Sequence, residues 1–141
     1  MSTPGVSVAT LDRSGAQRFQ TLRRELGVSS FGINLIVLAP GERGRIHSHA
    51  RQEEVYLVLE GELTLFVERE PTVLGPDRAV RVGPGLRRQI ANAGREPLVL
   101  LALGAAGEHA GRDGAAWSDW EEPGPGRPPQ EVPLPEDLPS R

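Results

Sequence analysis

Two histidines one residue apart, His47 and His49, are the groups in this chain whose type and spacing point most directly to chemistry. On a β-strand, alternation sends both imidazoles to one face about two rises of ~3.3 Å apart, near enough to reach a single ion. The carboxylates Glu53 and Glu54 follow, ahead of the apolar run VYLVLEG. A metal site is one reading of this cluster, and a pair of polar histidines in a solvated loop is the other. Two absences narrow the donors. The 141 residues include no cysteine, which removes disulfides, thiolate nucleophiles and thiolate-bound zinc or iron–sulfur centres. Any metal is therefore held by nitrogen and oxygen. All 16 basic residues are arginines, so a Schiff-base lysine and a phosphate-loop ammonium are excluded as well.

The elements that must position these groups read as short strands. With 13 prolines and 17 glycines the chain is rich in turns, and its length suits one domain. FGINLIVL, IHSH, residues 54–59, LTLFVE, AVRV, RRQIAN and PLVLLALG are β-prone runs separated by APGE, the tight EGE turn, EREPTVLGPD, GPG and AGRE. That density of strands and turns predicts an all-β sandwich or barrel. Residues 1–30 read as a cover segment, with a β-like run at 6–11 and then Phe19, Leu22 and Leu26 at helical spacing before a capping Gly27. Residues 105–141 form a proline- and acid-rich tail without a β period, either disordered or extended across the barrel or a second subunit. Trp117 and Trp120 favour docking of its first part, because two free indoles would leave an apolar patch in water. The net charge of -3 makes no case for nucleic acid or an anionic membrane. With no run of about 18 apolar residues and no basic-then-apolar start, the expectation is a soluble, cytoplasmic protein.

In its middle the chain resembles the cupin superfamily, specifically its small single-domain members. The cupin first motif is matched at every position by Gly41, His47, His49, Glu54 and Gly61. The second is matched in part: the segment DRAVRVGPGLRRQIAN keeps Gly85 and Asn92, but Asp77 and Gly83 stand where a glycine and a proline are expected, and Arg88 occupies the position of the last metal ligand. The resemblance implies a cupin barrel, a double-stranded β-helix of jelly-roll type over residues 31–104, with a Pro-rich C-terminal extension. It also implies a small-molecule ligand inside the barrel and a homodimer. It names Glu54, rather than Glu53, as the ligand beside His47 and His49. Two histidines and a carboxylate suit Fe, Zn, Ni, Mn or Co, and oxygenase or isomerase chemistry if the protein is an enzyme.

Arg88 leaves three arrangements open. It faces the cavity as a contact for an anionic ligand, or pairs with Glu54 in the metal's place and leaves a metal-free pocket, or turns to the surface with Arg87 or Gln89 inward. Tyr56 and Val58 share strand parity with Glu54 and are expected to line the same cavity, Tyr56 with its hydroxyl satisfied rather than as a catalytic phenol. Asn34, on an otherwise apolar strand, is a candidate polar group of the cavity or an edge residue. Arg43, Arg45 and Arg51 read as a solvated rim, and His109 as a tail residue that would reach the site only if the tail folds over the barrel mouth.

Overall fold

Each apolar run forms a strand, and the strands pair into two antiparallel five-stranded sheets. The computed structural model describes residues 4–105 and 113–139, so His109 lies outside the described residues. In chain order the strands are β1 (Phe19–Thr21), β2 (Gly32–Leu38), β3 (Ile46–His49), β4 (Glu53–Glu60), β5 (Leu63–Val67), β6 (Glu70–Leu74), β7 (Ala79–Val82), β8 (Arg88–Ala91), β9 (Leu98–Ala105) and β10 (Gly114–Trp117). One sheet has the order β1-β2-β9-β4-β7 and the other β10-β3-β8-β5-β6. They face each other as an all-β jelly-roll barrel. None of the described helices is long and apolar enough to cross a membrane.

The barrel core follows from alternation. Ile36, Leu38, Tyr56, Val58, Leu63, Leu65, Leu98 and Leu100 point between the sheets and are buried. The other parity of β2 and β9, carrying Leu35, Val37 and Val99, is buried on the outer face against Leu22. Because both faces are covered, GINLIVL and LVLLALG are continuously apolar rather than alternating. The cover is the five-residue helix α1 (Leu22–Leu26), capped by Gly27 at φ 73°.

Three elements differ from the sequence expectation. Residues 6–11 form no strand; Val8 is 87% exposed, and this segment is tied down by Gln20, which takes the Asp12 N–H and donates to the Thr10 carbonyl. Residues 68–77, expected to be a connection, contain β6. Its hairpin turn is made by Glu68 and Arg69 at positive φ (47° and 74°) without the usual glycine, and Pro71 is tolerated because β6 is an edge strand. The start of the tail is also a strand: β10 adds to the free edge of β3, where Gly114, Ala115 and Ala116 are small enough to lie flat.

Two positions hold the barrel ends. Buried Asn92 donates to the carbonyls of Leu38 and Glu96 and accepts the Gly94 N–H, which ties the end of β2 to the β8–β9 connection. At Gly61, φ is 78° and a Cβ would sit 2.3 Å from the Pro97 carbonyl oxygen, so both conformation and space require glycine. Gly61→Ala is expected to cost about 2–4 kcal/mol in urea unfolding. A loss below about 1 kcal/mol would show that the β4–β5 turn yields easily.

Candidate metal centre

Residues β3 and β4 contribute to the site lie at matching depth on opposite sheets. His47 and His49 project from β3 on the inner parity, and Glu54 projects from β4 between its neighbours Val82 and Gly104. One donor atom from each of these three side chains lies within 4.8 Å of the others. The turn joining the strands is set by Asp113, whose carboxylate accepts the N–H groups of Arg51 and Gln52. Burial pushes this carboxyl up, but those two donors and the charges of His49 and Arg51 outweigh it and hold it below its ordinary range.

His47 Nδ1 lies 3.2 Å from the Arg45 carbonyl, so with a hydrogen on Nδ1 the ring is held by the backbone just before β3 and Nε2 is directed at Glu54. The Nε2 atom stands 3.3 Å from Glu54 Oε1, a separation that suits either an Nε2–H donated to the carboxylate or one ion shared by the two atoms. The His49 Nε2 is 3.6 Å from Glu54 Oε2. Its ring is packed edge-on to His47 with centroids 5.2 Å apart, and its buried Nδ1 has no partner among the described residues. The donor set therefore fits a divalent ion by position and by donor type.

Glu54 is held from behind. Tyr56 donates its hydroxyl to Oε1 at 2.5 Å and Arg88 donates Nη1 to the same oxygen at 3.0 Å, leaving Oε2 toward His49. Burial alone would raise the Glu54 pKa, but hydrogen bonds to and charge on His47 and His49 drive it well below the carboxylate range, and the guanidinium acts in the same direction. Tyr56 moves the opposite way: burial, followed by the Glu54 charge, pushes its hydroxyl well above the usual phenol value, so it stays a proton donor.

Arg88 is the point at which the expected contact set changes. It lies directly across from His47 in the β3–β8 pairing, so it points inward, but it is fully buried and does not line the cavity. Besides Glu54, its Nε donates to the Leu86 carbonyl and its Nη2 to that of Gly83, so a ligand in the cavity finds this guanidinium already engaged. Arg88 thus faces inward and pairs with Glu54, and the turn to the surface is not adopted. Gln89 takes the other face and bonds the Gly44 carbonyl, and Arg87 stacks over Trp117 at 3.9 Å.

A cavity of about 230 Å³ opens beside the three donors, with Asn34, Arg45 and Tyr56 as its further polar lining and Phe19, Ile36, Ile90, Ala102 and Pro129 as its apolar walls. Tyr56 thus lines it as its parity with Glu54 suggested, and Asn34 lines it as the first of its two readings, whereas Val58, expected there by the same parity, packs in the barrel core instead. Arg45, read from sequence as rim, was readable there: it shares parity with His47 and His49. Phe19 and Pro129 had no local signal, since each arrives from a segment far along the chain.

Residues 34–104 match the family described as Cupin domain. Among curated proteins, the chain is similar to the tetracenomycin polyketide synthase protein TcmJ of Streptomyces glaucescens, 34% identical over 92 residues, covering 64% of this chain and 62% of that protein. Among solved structures it is similar to a proposed sugar phosphate isomerase of Acidithiobacillus ferrooxidans, with 32% identity, a TM-score of 0.57, and coverage of 61% of this chain and 56% of that one. The match thus spans less than two thirds of either relative's own length. A cupin protein of Bacteroides fragilis, 22% identical, superposes with a TM-score of 0.66 over 77% of this chain and 92% of its own and shows the shared fold.

Proposed function

This chain belongs to the cupin domain family, and on that premise we propose that it is a metal-dependent cupin that takes a small anionic molecule into its barrel cavity, with His47, His49 and Glu54 as metal ligands. The observation that carries this reading is the convergence of one donor atom from each of His47, His49 and Glu54 to within 4.8 Å of one another beside the cavity. When bound, the ion supplies a Lewis acid that polarises a ligand oxygen. The chain's own residues do the rest. Tyr56 and Arg88 keep Glu54 ionised and oriented, and the apolar walls limit water. Those walls favour a ring-like body carrying ketone, enol or carboxylate oxygens, the chemistry of a polyketide, over a sugar phosphate, whose many hydroxyls need partners the walls do not offer.

A second reading rests on Arg88. Because its guanidinium already compensates Glu54, the cavity also suits a metal-free binding protein. Protein purified without chelator separates the two: elemental analysis is expected to give about one divalent ion per chain, and readdition of zinc to stripped protein should raise its melting temperature. Substoichiometric metal, with no thermal shift from zinc, iron(II), nickel, manganese or cobalt, would sink the first reading in favour of the second.

A further inference from the structure

Arg45 lies just before β3 with the parity of His47 and His49, and its side chain lines the same cavity. Its Nε donates to the carbonyl of buried Val132 at 2.6 Å, at the end of the short 3-10 turn Pro129–Glu131 that also sets Pro129 into the cavity wall. This strap is itself fixed. β10 pairs with β3, Arg87 stacks on Trp117 and donates to the Glu122 and Gly124 carbonyls, and Arg43 Nε and the Leu138 N–H tie residues 136–138 to the β2–β3 connection. The stem of Arg45 is therefore held, while its Nη1 and Nη2 have no partner among the described residues. The Asn34 amide lines the same space and also lacks one there.

A guanidinium with a held stem and an unpaired fork, set beside apolar walls, matches a planar acceptor with two oxygens. The cavity of about 230 Å³ exceeds the roughly 150 Å³ that holds a benzene ring. We propose that Arg45, positioned by the C-terminal strap, is the anion-recognising residue of this cavity, and that the ligand is a carboxylate carried on an apolar body about one aromatic ring in size. This rests on the cavity being a ligand site and is independent of whether a metal is bound.

Benzoate, its uncharged isostere benzamide, and inorganic phosphate are the probes, titrated by ligand-observed NMR into full-length protein, both zinc-loaded and chelator-stripped. Benzoate is expected to bind at least about 10-fold tighter than benzamide, with Arg45→Gln removing that preference and Arg45→Lys, which keeps the charge but not the fork, restoring only part of it. The near-UV circular dichroism of Trp117 reports whether the strap stays docked in each variant, and zinc content should be unchanged in both. The proposal is overturned by equal affinity for benzoate and benzamide, by a preference that survives Arg45→Gln or is fully retained by lysine, by phosphate outcompeting benzoate, or by no benzoate binding at all. Selectivity retained in protein that takes up no metal would remove the metal reading and leave this one standing.

Discussion

Arg88→Met is expected to lower the stability of the metal-free protein by about 3–5 kcal/mol, a fall of roughly 10–20 °C in melting temperature for a chain of this size. The guanidinium is fully buried and serves three acceptors at once, Glu54 Oε1, the Leu86 carbonyl and the Gly83 carbonyl. Methionine fills much of the stem's volume but leaves a buried carboxylate oxygen without its cation and two carbonyls of the β7–β8 connection without a donor. A second effect runs in the opposite direction. Removing a fixed positive charge 3.0 Å from Glu54 takes away repulsion toward any ion at His47, His49 and Glu54, so zinc should stabilise Arg88→Met more than it stabilises the native protein. The double variant Arg88→Met/Glu54→Gln should recover part of the loss, because the unpaired charge is then absent. Urea unfolding of the three proteins with and without zinc measures all three expectations. A single-variant loss under about 1 kcal/mol would mean that the pair is no more than a replaceable contact.

His47→Ala is expected to weaken zinc binding by about 100-fold or more, since deleting an outer hydrogen-bond partner of a metal ligand already costs 10–100-fold and this change removes the ligand itself. Competition with a chromophoric chelator gives the constant. Ser48→Ala is the matched control, because the same strand turns Ser48 away from the site and toward its pairing with Ala115. Equal zinc affinity in His47→Ala and the native chain would refute the assignment of His47. The pH dependence has a defined sign. Glu54 is held well below the ordinary carboxylate range, so its contribution to stability is fully present above its unfolded pKa and is lost as pH falls through the lower folded value.

The strands and the shared face of His47 and His49 were legible in the chain because both depend on local period, whereas Glu54 was separated from Glu53 by the motif that the chain shares with its family. Strand parity needs only neighbours in sequence, and it put His47 with His49 and Tyr56 with Glu54 on shared faces; the same parity would have placed Arg45 at the cavity had the segment before Ile46 been read as extended. Parity was less informative where turn chemistry departed from its usual residues. The hairpin turn at Glu68 and Arg69 carries no glycine, so β6 was absorbed into a connection, and β10 is a strand by virtue of the β3 edge it meets rather than by any alternation of its own.

What the sequence by itself determined is the run of short strands and, between Gly41 and Gly61, the setting of His47 and His49 on one strand face ahead of Glu54, since each depends on residues near one another in the chain. Tertiary structure alone decided which carboxylate Arg88 meets, because Glu54 on β4 belongs to one sheet and β8 to the other, and the two come together only when the sheets pack face to face. It also decided what closes the cavity. Phe19 comes from the N-terminal cover and Pro129 from the C-terminal strap, and Arg45 is anchored to Val132, 87 residues along the chain. No local pattern encodes a meeting of that kind, which arises from packing of segments remote in sequence.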